Sequence, residues 1–193
     1  MKSHSVKSPT NFLLAVVLCF VLGIQLSYNQ ENTTAFDQDI ASLTSLKPTR
    51  FATIDFVFRT YSRDSAKMKS LIKTSKINSY TEGENYGLNA LGTIYRNISH
   101  YEKSIKIHKQ ANELANITDN IEFKIISLNN IGVAYRRMDL VKPALDFHTK
   151  ALDFARSIKD PSKTISYNIA VSQNSIGNIY LILEQYELAL KQF

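Results

Sequence analysis

Apolar positions along most of this chain recur at helical rather than strand spacing. Ile105, Ile107, Ala111 and Leu114 are the plainest case, falling mostly on one helical face. Upstream, RFATIDFVFRTYSRD reads as one amphipathic helix and SAKMKSLIKTSKINSY as a second, so residues 50–80 are expected to form a degenerate helix pair. Residues 30–49 are mostly polar and read as a linker with room for a short helix. Start and stop signals fit. Ser99 with Glu102 has the form of a capping box. Asp139 stands at the equivalent cap one unit later, and Pro161 in KDPSK breaks the chain before the next helical stretch.

The N-terminus departs from this pattern. Phe12 to Ile24 is an uninterrupted apolar run, preceded by Lys2, His4 and Lys7. A basic start, a short apolar stretch and then polar residues is the pattern of an export signal. A membrane-spanning helix prefers about 20 apolar residues, so the run is short for one. Residues 1–29 are therefore read as a signal peptide, cleaved within Leu26–Glu31, or as an uncleaved anchor. The rest of the chain is expected outside the cytoplasm, periplasmic or otherwise extracytoplasmic, or anchored to the membrane.

The chain repeats itself. LNALGTIYRNISHYEKSIKIHKQA, LNNIGVAYRRMDLVKPALDFHTKA and QNSIGNIYLILEQYELALKQF align in register. Their glycines, Gly92, Gly132 and Gly177, lie 40 and 45 residues apart. Tyr95, Tyr135 and Tyr180 follow each glycine at one fixed distance, and the small residues Ser104, Ala144 and Ala189 follow at another. Ala111 and Ala151 extend the match in the first two copies. Repeats are placed near residues 82–119, 122–160 and 164–193.

This pattern resembles the tetratricopeptide repeat over roughly Glu82 to Phe193. The resemblance implies an all-α fold, a right-handed solenoid of antiparallel helix pairs. It implies that the glycines let the second helix of each pair approach, that the tyrosines fill the space beside them, and that the small residues admit the next repeat. There are departures. The aromatic usual late in the second helix is His108 and His148 in the first two copies and Phe193 in the third, and the closing proline is missing. The long period is similar to the subgroup found in kinesin light chains, peptide-pheromone receptors and many bacterial sensor proteins. Phe193 falls inside the second helix of the third copy, so the sequence reads as a fragment whose last repeat is truncated.

Composition narrows the classes. Six glycines and four prolines are few for this length and favour helices over a turn-rich β fold. The formal net charge is +6, but Lys2 and Lys7 belong to the leader and the remaining cations are scattered. No clustered basic stripe for nucleic acid is present. The one cysteine, Cys19, lies in the leader, which excludes a disulfide framework or a cysteine metal site in the rest.

Candidate chemistry is sparse. There is no phosphate-binding glycine loop, no G-x-S-x-G and no H-E-x-x-H. His108 and His148 hold equivalent positions a repeat apart and read as packing residues rather than a metal pair. Asn32, Asn97 and Asn116 lie in N-x-[ST] triplets, which matter only in a glycosylating pathway. No enzymatic activity, cofactor or metal is expected.

The first helix of each repeat lines the concave surface in the family that this chain resembles. On it Asn89, Asn129 and Asn174 stand three residues before each glycine. A carboxamide can donate to and accept from a peptide backbone at once, and in the long-repeat subgroup such asparagines are implied to clamp ligand peptides. Arg96 and Arg136 lie two turns further on, with Arg137 adjacent, and suit carboxylates. In the third copy Asn178 follows Asn174 by one turn and Leu181 replaces the arginine. Asn89, Arg96, Asn129, Arg136, Asn174 and Asn178 are the expected peptide-binding set. The competing reading is that the asparagines bond locally and the arginines solvate the surface. The expected function is a protein- or peptide-binding module, the extracytoplasmic sensing part of a longer signalling protein whose output domain lies elsewhere. The alternative is a structural scaffold or a secretion or assembly accessory of the cell envelope. The expected partner is a protein or peptide, not nucleic acid, with the membrane met only through the leader.

Overall fold

A computed structural model describes residues 34–193. The leader, with Cys19, the cleavage region and Asn32, lies outside the described residues. Contacts divide the chain into residues 1–38 and 39–193. Of the first unit only Thr34–Gln38 is described. There Thr34 and Asp37 make a reciprocal helix cap, the Thr34 hydroxyl donating to the Asp37 carboxylate at 2.7 Å and the Asp37 amide to the Thr34 oxygen.

The described residues are helical: α1 (Ala35–Leu46), α2 (Phe51–Phe58), α3 (Ser65–Ile77), α4 (Thr81–Asn97), α5 (Tyr101–Ile117), α6 (Ile121–Arg137), α7 (Val141–Arg156), α8 (Lys163–Ile182) and α9 (Tyr186–Leu190). Among them none is long and apolar enough to cross a membrane. From α3 onward each helix packs on the next, and α4, α6 and α8 also touch in a row. The stretch expected as a linker holds α1, whose Ile40 and Leu43 are buried.

Residues 50–80 do not form a pair of their own. Helix α3 packs on α4, and α2 packs on α4 as well. The reason is in α2's apolar side chains. Ile54 and Phe58 are fully buried, and the Phe51 ring meets Tyr86 of α4 at 5.6 Å and Phe123 of α6 at 5.7 Å. Polar bonds hold the same seat. The Phe51 amide donates to Glu122, the Asn120 amide to the Thr49 carbonyl, and the Tyr86 hydroxyl to Asp55 at 2.9 Å.

The turns between helices differ from the capping expectation. Ser99 and Asp139 are not N-caps: both have left-handed backbones, at φ 62° and 57°, and the caps are His100 and Leu140 without side-chain bonds. They close the preceding helix instead. The His100 amide returns to the Tyr95 carbonyl and the Leu140 amide to Tyr135, the Schellman arrangement. Ser79, Asp119 and Glu184 share this conformation. Side-chain N-caps do occur at Asp64, Asn120 and Ser162. Pro161 precedes the last of these, and Pro143 falls in the first turn of α7, where its missing N–H costs nothing. A Ser99→Gly substitution relieves a left-handed residue and is expected to raise stability by roughly 1 kcal/mol; urea unfolding checks it.

The repeated small residues are all buried. Ser104, Ala111, Ala144 and Ala151 are wholly inaccessible and Ala189 nearly so. Ala151 and Ala155 join Ile125, Leu128 and Ile165 in one cluster, and Ile131 and Ala134 meet Ile105 in another.

Candidate binding groove

The glycines are sites of close approach. A Cβ on Gly92 would stand 2.6 Å from the His108 ring, one on Gly132 2.7 Å from His148, and one on Gly177 2.7 Å from Phe193. His108 of α5 and His148 of α7 thus lie against the glycine of the helix before them, while Phe193 reaches Gly177 from beyond the end of α9 rather than from inside a second helix as expected. Gly132→Ala is expected to cost about 1–3 kcal/mol by overpacking, with part recovered when His148 is also replaced by alanine; a double-mutant cycle on unfolding free energies reads this directly.

Histidine in place of the aromatic adds a donor. His108 Nδ1 lies 3.2 Å from Asn89 Oδ1, and His148 Nδ1 lies 3.0 Å from Asn129 Oδ1. A carboxamide oxygen only accepts, so each imidazole carries its proton on Nδ1. The Nε2 atoms are buried without partners. Burial, and then the cations of Arg96 and Arg136, pushes His108 down to about 3 and His148 to about 4. Both rings are neutral at physiological pH.

The same asparagines tie successive repeats. Asn89 Nδ2 donates to Asn85 Oδ1 at 2.7 Å and to Ser127 Oγ of α6 at 3.1 Å, while its Oδ1 accepts from Asn130 Nδ2 of α6. Asn129 repeats the pattern one unit on. It donates to Asn168 of α8 at 3.2 Å and accepts from Ser172 Oγ at 2.8 Å. Asn89 and Asn129 are 4% and 3% exposed, so their amides are committed to the core and form the floor of the α4–α6–α8 face. This corrects the expectation of a free ladder. Asn174 of α8 is exposed and Asn178 half-buried.

The arginines behave differently. Arg96 is half-buried and reaches Asn130 Oδ1 at 3.4 Å. Burial lowers its pKa, and the charges acting on it are the cations of Arg137 and Arg136. Arg136 is half-buried with Nε lacking a partner, and Arg137 is exposed. Three guanidinium groups therefore gather at one end of α4 and α6 and repel one another.

Helix α2 divides this face into two grooves. One, of about 510 Å³, lies between α2 with its following turn and the C-terminal half of α4. The larger, of about 870 Å³, runs between α2 and α6–α8. Its walls carry Phe56, 80% exposed, from α2 and Tyr167, 70% exposed, from α8. The charged residues lining it are Arg59, Arg96, Lys163 and Asp55. Asp55 accepts from Tyr86, whose phenol is pushed up by burial first and by that carboxylate second. Glu122, nearby on α6, is taken by the Phe51 amide and the Ser162 hydroxyl.

The contribution of α2, and with it Phe56, Arg59 and Lys163, was not foreseen from the sequence. Nothing in the spacing of an isolated amphipathic segment says which helices it will lie against. Among the described residues no three His, Cys, Asp or Glu side chains gather as they would around a metal ion. Comparison with protein-family models gives no match, and comparison with curated proteins gives none either.

Proposed function

We propose that this chain is a polypeptide-binding module rather than a catalyst, built as a right-handed solenoid of the tetratricopeptide kind. The observation that carries the reading is the groove of about 870 Å³ on the α4–α6–α8 row, walled by α2 and lined with exposed aromatic and cationic side chains. Aromatic residues and arginine are the groups most enriched where proteins bind one another. Arg96 belongs to the binding surface, with Arg136 at its edge. Asn89 and Asn129 support that surface from below, and Asn174 and Asn178 extend it along α8. The leader would carry the module out of the cytoplasm or anchor it there, as the sensing part of a longer signalling protein.

Photo-crosslinking in the native cell tests this. A photoreactive phenylalanine analogue placed at Val133, in the groove, is expected to trap a protein adduct. The same analogue at exposed Lys106 on α5 is expected to trap none. Equal adducts from both positions, or adducts from Lys106 alone, contradict the proposal.

A further inference from the structure

We propose that one end of the helical array, the end where α1, α3 and α5 finish, is an edge that rests on the surface of an anionic lipid bilayer. From the sequence the membrane is met only through the leader. The edge is a second contact, made by the folded helices themselves and independent of the groove.

Three turns are bonded together at this end. The Lys47 ammonium donates to the Ser79 carbonyl at 3.5 Å, the Tyr80 hydroxyl to the Pro48 carbonyl, and the Asn120 carboxamide to the Thr49 carbonyl at 3.0 Å. The connection between α1 and α2 is thus tied to the turn after α3 and to the turn after α5. The last residues of these three helices are Leu46, Ile77 and Ile117, and they are 77%, 72% and 78% exposed. A single exposed aliphatic side chain is ordinary. One at each of three turns held side by side is a surface. In the turns at the opposite end, Ile98 and Leu140 are less exposed.

Charge accompanies these tips. The fully exposed cations at this end are Lys47, Arg50, Lys76, Arg156 and Lys159, against the exposed carboxylates of Asp119 and Asp160. Glu82, Glu84 and Glu122 are half-buried in the first turns of α4 and α6, where the helix N-termini favour them. The charge offered outward is therefore positive.

The tips line neither groove. Aliphatic side chains offered from turns, with lysine and arginine between them, match the boundary of headgroups and acyl chains. There apolar groups are buried about 5–10 Å deep and cations meet lipid phosphates. A protein partner fits less well, because lysine is depleted from protein interfaces.

The test uses the full chain with Cys19→Ser, so that one introduced cysteine carries a bimane fluorophore. Thr118→Cys places the label beside Ile117, and His100→Cys places it before the other end of α5; both positions are exposed. The leader is present in both proteins, so its own insertion does not separate them. The vesicles hold equal phosphatidylglycerol and phosphatidylcholine with a trace of nitroxide-labelled lipid. On them the label at 118 is expected to be quenched about twofold more than the label at 100. On phosphatidylcholine alone the difference should largely vanish. Combining Leu46→Ser, Ile77→Ser and Ile117→Ser should abolish it. Combining Lys47→Gln, Lys76→Gln and Lys159→Gln should remove most of the dependence on phosphatidylglycerol. Circular dichroism checks that both variants stay helical; should the serine variant not, Ile117→Ser alone carries the comparison. Equal quenching of the two labels, or a difference that survives the serine substitutions, would overturn the proposal. No quenching at 118 would overturn it too, and would leave the three tips to a protein partner.

Discussion

Asn129→Leu is expected to destabilise the protein by about 3–5 kcal/mol. The side chain is 3% exposed and holds three helices at once. Its oxygen accepts from His148 Nδ1 of α7 and Ser172 Oγ of α8, and its amide donates to Asn168 of α8. Leucine has similar volume and no polar atom. The imidazole N–H and the Asn168 carboxamide oxygen lose a partner inside the core, at about 1–3 kcal/mol for each group left unsatisfied, while the Ser172 hydroxyl keeps the Asn168 carbonyl as its acceptor. Replacing His148 by phenylalanine in the same chain should recover part of the loss, because one orphan is then removed. The denaturation midpoint and slope in urea check both results.

The second large effect is acid sensitivity. Folded protein keeps His108 and His148 neutral down to about pH 3 and 4, whereas the unfolded chain takes up protons near the ordinary value of 6.5. The unfolded state therefore binds more protons below that value, and stability is lost as pH falls. The contribution is fully present above pH 6.5 and disappears through the window between 6.5 and the folded values. Between pH 7 and pH 5 the loss comes to about 2 kcal/mol per histidine. Arg96 beside His108 and Arg136 beside His148 add to the resistance against protonation. The double variant His108→Phe with His148→Phe should flatten the unfolding free energy over this window. Phenylalanine fits, since Phe193 already lies against Gly177 in the third copy. Asn89 still accepts from Asn130, and Asn129 still accepts from Ser172.

Much of the helical framework was legible because repetition multiplies each signal. Gly92, Gly132 and Gly177 recur in register with the small residues that follow them, and the structure buries Ser104, Ala144 and Ala189 alike. The ring opposite each glycine was also legible as a position, though its polar use was not. An asparagine ladder reads the same whether it faces solvent or core. What decides is a partner one repeat away. Ser127 and Ser172, each five residues before its glycine, were the available sign. The turns misled because Ser99 and Asp139 are good capping residues by type, yet each occupies a left-handed position where glycine is usual. The seat of α2 could not be read at all. It depends on Phe51 meeting Tyr86 and Phe123, residues far apart in the chain.

The α4–α6–α8 face thus divides its work. Asparagines, histidines and serines hold repeat to repeat, while Arg96 lies among the cations of Arg137 and Arg136. Equilibrium urea unfolding of Arg96→Ala beside Asn129→Ala tests this division most directly. Arg96→Ala is predicted to be at least as stable as the parent, since it relieves repulsion from Arg136 and Arg137, while Asn129→Ala loses several kcal/mol. An Arg96→Ala protein as unstable as Asn129→Ala would contradict the division and make Arg96 a structural group.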